Sequence, residues 1–211
     1  MGKKKGSTIF NSPLHAAFIL CAACALLFTT CYLEGDINAL RPIIPGNPDD
    51  PSHPGFGTDE YPYKVFDEAT LKKVGSGDDG WDMKQHYIQT ADIDLSEVTD
   101  WDPIGTPSKP FEGSFDGQGF LISNMVIKSS ADNQGLFGVI GKNGKVENVN
   151  LADVDISGYD NTSINTGSVA GLSYGTVTNC CSTGRVIGYD YVGGLVGQVG
   201  TGLPPIKWTG S

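Results

Sequence analysis

Two pairs of acidic residues have the spacing that chemistry on a strand would need. Asp92 and Asp94, like Asp153 and Asp155, are two positions apart among apolar and β-branched neighbours. In an extended strand this spacing puts both carboxylates on one face. Clustered carboxylates are what a carbohydrate-active enzyme uses, and acidic pairs also bind calcium weakly. Ordinary solvated strand residues give the same pattern, so it is compatible with a plain polar face.

Other catalytic constellations are missing from the sequence. The three histidines are His15 near the N-terminus, His53 in a proline-rich stretch and His86 in a candidate strand. No His-Glu-x-x-His zinc motif occurs. We expect that no Ser, Thr or Cys nucleophile has a histidine partner. The sequence therefore predicts a non-catalytic protein with no catalytic residue, no metal and no cofactor.

The charge of the chain restricts its partners. The full sequence has a net charge of −10, and its first thirty residues carry three lysines and no acidic residue. Without those thirty residues the chain is more acidic still, which argues against nucleic acid and against electrostatic binding to an anionic surface. A glycan ligand would need aromatic and acidic side chains in one groove. Four tyrosines in loops or at edges are available for it: Tyr159, Tyr174, Tyr189 and Tyr191.

A short unit of apolar residue, polar residue and asparagine occurs three times. The copies begin at Ile122, Val146 and Val177. Between them lies a second unit, seen as Gly135-Leu136-Phe137-Gly138, Ala170-Gly171-Leu172 and Gly193-Gly194-Leu195-Val196-Gly197. Repeats of 20 to 50 residues that contain short strands and no helical pattern are typical of a coiled array of strands. The sequence therefore predicts an all-β fold, a β-solenoid or β-helix-like repeat.

The alternation of these units resembles GLUG-motif repeats. The upstream segments Asp92-Ile93-Asp94-Leu95, Trp101-x-Pro103-Ile104-Gly105 and Pro110-Phe111-x-Gly113-x-Phe115-Asp116-Gly117 resemble the lead-in that precedes such repeats. The resemblance covers about Tyr87 to Val199. It implies a β-solenoid-like fold and a location on the surface of a bacterial cell or in its secretions. It implies no catalytic residues.

The predicted coil has about three rungs, a rung being one circuit of the chain. Ile122, Val146 and Val177 are expected to stack in it. Beside them, Asn124, Asn148 and Asn179 would form a structural ladder of hydrogen-bonded side chains. A row of ligand-binding asparagines is the alternative. The ladder is favoured because apolar residues that must face the core flank each asparagine.

The N-terminal segment has the features of an export signal. Lys3, Lys4 and Lys5 precede an apolar run from Leu14 to Thr30. Cys31 follows this run directly and resembles the acceptor of a bacterial lipoprotein, although Phe28-Thr29-Thr30 departs from the usual residues before it. Cys24 is the second candidate, and a permanent membrane helix is a further alternative. We expect an exported, membrane-attached protein with its lipid anchor on Cys31.

Five segments are predicted along the chain. They are a signal at 1–30, a linker rich in Pro, Gly and Asp at 31–60, cap and lead-in strands at 61–114, repeats at 115–200 and an irregular tail at 201–211. Within the third segment, Asp67 is expected to cap a short helix that contains Leu71 and Val74 and covers the first rung. The strand after it, His86 to Leu95, should bury Ile88, Ile93 and Leu95.

The tail does not continue the repeat. Pro204 and Pro205 cannot join a hydrogen-bonded ladder. Either the array is truncated, so that its open edge recruits a second copy of the chain, or Ile206 and Trp208 pack on that edge as a cap. The first reading is favoured here. The predicted function is that of a lipid-anchored surface scaffold or adhesion and binding module, and a carbohydrate-active β-helix enzyme or glycan-binding module is the alternative.

Overall fold

The computed structural model describes residues 56–157 and 163–200. These residues form fifteen short strands and one α-helix. The helix, α1, is Glu68–Lys73. The strands in chain order are β1 (Tyr63–Val65), β2 (His86–Gln89), β3 (Ile93–Asp94), β4 (Ser114–Asp116), β5 (Leu121–Ser123), β6 (Val126–Ile127), β7 (Phe137–Ile140), β8 (Lys145–Glu147), β9 (Asn150–Ser157), β10 (Ile164–Thr166), β11 (Ala170–Ser173), β12 (Thr176–Thr178), β13 (Cys181–Ile187), β14 (Asp190–Val192) and β15 (Val196–Val199).

The strands stack into four parallel sheets that run along a coil. The first sheet has the order β1-β2-β4-β8-β12, and the second has the order β13-β9-β5-β3 with β6 also paired to β9. Two smaller sheets contain β10-β14 and β15-β11-β7. All pairings between these strands are parallel, since each strand pairs with its counterpart in the next circuit of the chain. The predicted β-solenoid is therefore confirmed, with about four rungs rather than three.

The inner side of the coil is a continuous apolar core. In the first sheet, Tyr63, Tyr87, Phe115, Val146 and Val177 follow one another from rung to rung, and all five are buried. Aromatic residues fill the early rungs, where the rings of Tyr63 and Trp81 stack 4.6 Å apart and those of Phe111 and Phe137 lie 4.9 Å apart. The core residues of the first sheet therefore change from aromatic residues to valine along the coil.

The predicted stack of Ile122 on Val146 and Val177 is wrong. Ile122 belongs to the second sheet, where it pairs with Ile93 below and Leu151 above. The place next to Val146 is taken by Phe115, because β4 and not β5 is the strand one circuit before β8. Ile122 is fully buried all the same, because both sheets turn alternate side chains inward.

The solenoid begins earlier than the repeats predicted at 115–200. Strands β1, β2 and β3 join the same sheets as the later strands, so the segment at 61–114 contributes rungs of its own. Phe56, inside the predicted linker, packs against the core and lies 5.6 Å from the Tyr63 ring. The ordered fold thus includes the end of that linker.

Helix α1 begins directly after its capping residue, Asp67. The Asp67 carboxylate accepts a 2.8 Å hydrogen bond from the Thr70 amide and another from the Thr70 hydroxyl. The bond from that hydroxyl is the main reason why the pKa of Asp67 is lowered. Leu71 is buried on the inner side. That this helix covers the first rung stays a prediction.

The lead-in strand β2 differs from prediction at one core position. Tyr87, not Ile88, is fully buried, and Ile88 is half-buried; Ile93 and Leu95 are buried as predicted. The register explains the difference, since Tyr87 follows Tyr63 in the inward column. Gln89 is also buried, and its amide donates to the carbonyls of Ala91 and Leu121 at 2.9 and 3.1 Å. This side chain thereby links two circuits.

Candidate functional site: the polar corners of the coil

The corner between the first and second sheets carries an asparagine ladder. Asn148 and Asn179 both have a left-handed backbone, with φ of 56° and 51°. The Asn179 side chain donates to Asn148 Oδ1 at 2.6 Å, and the Asn148 side chain donates to Asp116 Oδ1 at 2.8 Å. Asparagine suits this position because it tolerates positive φ and its amide both donates and accepts.

Asn124 is not part of this ladder. It lies at the next corner, between β5 and β6, with φ of 60°, and its side chain donates to Asp94 Oδ1 at 2.8 Å. Gly117 takes the place that was predicted for Asn124. A Cβ atom at Gly117 would lie 2.5 Å from the Asn148 carbonyl oxygen, so a side chain does not fit there. Asp116, in the rung below Asn148, is therefore the last member of the ladder in that direction.

A second asparagine ladder, which was not predicted, lies at another corner. Asn133 and Asn165 have φ of 62° and 61°, and the Asn165 side chain donates to Asn133 Oδ1 at 2.9 Å. In the following rung the equivalent residue is Tyr191, with φ of 51°. The sequence does contain a signal for this corner, because each of the three residues stands two positions before a glycine.

The glycines of the Gly-Leu units allow β7, β11 and β15 to lie close to the corner that carries the second ladder. Phe137, Ala170 and Val196 pair across β7, β11 and β15, and each is followed by a glycine. A Cβ atom on the middle one, Gly171, would lie 2.4 Å from the backbone carbon of Asn133. The glycine column therefore packs against the backbone of the second ladder.

This register corrects the predicted alignment of the Gly-Leu units. Leu172 pairs with Val139 and Gln198, and not with the leucines of the other two units. Val169, fully buried like Leu136, occupies the equivalent place in the middle rung. A valine in this position conceals the repeat in the sequence.

Three of the four carboxylates in the two candidate acidic pairs, those of Asp92, Asp94 and Asp155, are engaged in structural contacts. Asp92 Oδ1 accepts from the Leu121 amide at 2.8 Å, and Asp155 forms an ion pair with Arg185 at 3.0 Å. Asp94 accepts from Asn124 and from Ser96, and the bond from Asn124 is the main cause that lowers the pKa of Asp94. A carboxyl group held ionised in this way is a poor proton donor near neutral pH.

One histidine does contact a serine, contrary to prediction. Ser114 Oγ lies 2.9 Å from His86 Nδ1, because the two residues pair across β4 and β2. Asp59 lies 3.6 Å from the same ring nitrogen. In a serine–histidine–carboxylate relay the serine and the acid contact opposite nitrogens, so these three residues do not form one.

The surface has shallow grooves. One, of about 300 Å³, is lined partly by Asp100, Asp102 and Asp132. Asp100 and Asp132 use one carboxylate oxygen each to accept from backbone amides, of Lys128 and Ile164. In residues 56–157 and 163–200, no group of three His, Cys, Asp or Glu side chains could hold a metal ion.

The tyrosines proposed for a glycan site are dispersed. Tyr174 lines a groove of about 280 Å³ that contains Glu112 and Lys142 rather than Asp153 or Asp155. Tyr189 and Tyr191 are exposed on the last rung, and Tyr159 lies outside the described residues. Within the described residues, the groove that Tyr174 lines therefore includes neither member of the Asp153 and Asp155 pair.

The candidate lipid acceptors, Cys31 and Cys24, also lie outside the described residues, as do the predicted signal and tail. Within the described part of the chain, none of the helical structure has the length and apolar character of a membrane span. Cys180 and Cys181 are free thiols, and burial raises the pKa of Cys180.

Comparison with known proteins points to surface and membrane proteins. No protein-family model matches the chain. It is 35% identical over 79% of its length to "Halomucin" of Haloquadratum walsbyi, and 35% identical over 59% of its length to "Putative Gly-rich membrane protein" of Evansella cellulosilytica. The chain spans 2% and 15% of the lengths of these two relatives.

One solved structure is similar to part of this chain. It is described as a putative immunoglobulin A1 protease from Bacteroides ovatus. The TM-score is 0.44 at 20% identity, and the alignment covers 69% of this chain and 64% of the other.

Proposed function

We propose that this protein is a GLUG-type repeat protein that is exported, held at the cell envelope by a lipid on Cys31 and used there as a non-catalytic scaffold or binding module. The proline-rich segment that follows the cysteine connects it to the solenoid along the sequence. The observation that carries the proposal is the similarity to a halomucin over 79% of the chain, taken with a β-solenoid whose polar corners are occupied by structural ladders.

The contacts of the acidic residues support a non-catalytic role. Carbohydrate-active enzymes of the common kind need one carboxyl group that carries a proton near neutral pH. Of the two candidate pairs, Asp94 has a lowered pKa, and Asp155 forms an exposed ion pair with Arg185. Such carboxylates stabilise corners and neighbouring strands. A folded polar surface of this kind suits binding or spacing.

The anchor is tested by metabolic labelling with a clickable fatty acid in a bacterium that makes lipoproteins. The wild-type protein should take up the label and remain with the membranes. Cys31→Ala should lose the label and either keep its signal or enter the soluble fraction, because the acyl acceptor is gone. Cys24→Ala is the matched control and should behave like the wild type.

Two results would overturn the assignment. Loss of label in Cys24→Ala alone would move the acceptor to Cys24. If the wild-type protein stays unlabelled in the membrane at full precursor mass, its anchor is a membrane-spanning segment and not a lipid.

A further inference from the structure

No described residue covers the upper side of the last described rung, residues 176–200, and this side is here called the end face. Val192 and Val199 are 45% and 44% exposed there, whereas the residues that pair with them one rung below, Thr166 and Ser173, are fully buried. Ile187, Tyr189 and Tyr191 are exposed on the same rung. The upper edges of β12 to β15 also have no neighbouring strand among the described residues. The end face thus combines apolar surface with unpaired backbone groups.

A cavity opens beside this face because the core loses side-chain volume. Ser182 stands where Leu151 and Ile122 lie in the two rungs below, and Gly184 pairs with Val154. The resulting space is about 260 Å³ and is lined by Val154, Val186 and Val192 together with small residues. An apolar side chain from outside would fit into it and would regain buried contacts.

The charges of the end face favour contact with an identical face. Arg185 and Asp190 are the only charged residues from Thr176 to Gly200, in a chain whose net charge is −10. Two copies that meet through a strongly acidic surface repel each other. Residues 176–200 have no net charge, so contact between two end faces avoids this repulsion. Both residues are exposed, Arg185 also contacting Asp155.

We propose that the end face binds the end face of a second copy of this chain across a twofold axis. Such a contact is self-complementary, so Arg185 of each copy can meet Asp190 of the other. The inference rests on the proposed function, in which the solenoid is a binding module, and names its partner.

The test measures the mass of the full chain in mild detergent by light scattering over a range of concentrations. The wild-type protein should form a dimer. Asp190→Lys and Arg185→Glu should each weaken it by about tenfold or more, because each places like charges opposite one another. The double variant Arg185→Glu/Asp190→Lys restores opposite charges and should restore the dimer. Lys142→Glu, an equal charge change away from the last rung, should have no effect.

Other outcomes would overturn the proposal. A wild-type monomer at every concentration would do so, as would a dimer that Asp190→Lys does not weaken. Dimers that appear only when residues 201–211 are removed would show that the tail, not a second copy, covers the end face. Lipid labelling at Cys31 is measured separately, so a failed anchor and a failed dimer give different results.

Discussion

At the scale of residues, the corners of the coil depend on asparagines with a left-handed backbone. Asn148 joins Asp116 below to Asn179 above through two side-chain hydrogen bonds of 2.8 and 2.6 Å. An L-residue other than glycine, asparagine or aspartate pays roughly 1–2 kcal/mol in this conformation. Each corner asparagine therefore serves two purposes, one in the backbone and one in the side chain.

The two contributions can be separated at Asn148. Asn148→Gly removes the hydrogen bonds but tolerates φ of 56°, so the free energy of unfolding should fall by about 1–2 kcal/mol. Asn148→Ala adds the backbone strain and should cost about 2–4 kcal/mol in total. Urea denaturation followed by circular dichroism gives both values. Equal losses in the two variants would refute the backbone part of this account.

Tyr191 occupies a corner where the lower rungs carry asparagine. Its φ is 51°, and the Asn165 Oδ1 atom beneath it is buried without a hydrogen-bond partner. Tyr191→Asn should relieve the strain and supply a donor, which raises the free energy of unfolding by about 1 kcal/mol. The measurement is made on dilute, monomeric protein. Tyr189→Asn, on the same rung and without positive φ, should give no gain; an equal effect of both changes would contradict the argument.

At the scale of elements, the sequence predicts the kind of fold but not its register. Val146 and Val177 lie one circuit apart as predicted, and so do Asn148 and Asn179. Ile122 and Asn124 carry the same residue pattern but belong to another sheet and corner, because the corner between β5 and β6 also has a left-handed asparagine. The spacing in the sequence does indicate the correct register, because Phe115, Val146 and Val177 are equally spaced and Ile122 does not fit that spacing.

Other features could not be predicted because they depend on packing between distant segments. The approach of the glycine column to the second ladder joins residues more than thirty positions apart, such as Gly171 and Asn133. The Ser114–His86 contact arises from strand register alone. No local pattern encodes either contact.

The close approach can be tested at Gly171. A methyl group there would lie 2.4 and 2.5 Å from backbone atoms of Asn133, which cannot move aside as a side chain can. Gly171→Ala should therefore lower the free energy of unfolding by about 3 kcal/mol or more. Gly194→Ala is the matched control, because nothing lies within 4 Å of its added atom. Thermal unfolding of both variants measures the loss of stability. A Gly171→Ala variant as stable as the wild type would disprove the tight contact.

At the scale of the whole molecule, apolar and polar side chains occupy different parts of the described solenoid. Its interior is apolar, two of its corners carry side-chain ladders, and five of the nine exposed large apolar residues that are described lie on the last described rung. This division suits a module that stands on a membrane and binds through its end face. The two relatives are named for a mucin and for a membrane protein, which agrees with such a setting.

The central claim is that the folded solenoid is displayed on the outside of the cell. Intact cells are treated with an amine reagent that does not cross membranes, and the labelling of exposed lysines such as Lys128 and Lys142 is quantified by mass spectrometry against lysed cells. Equal labelling in intact and lysed cells is expected, with a cytoplasmic protein labelled only after lysis. Lys128 and Lys142 that react only after lysis would contradict it.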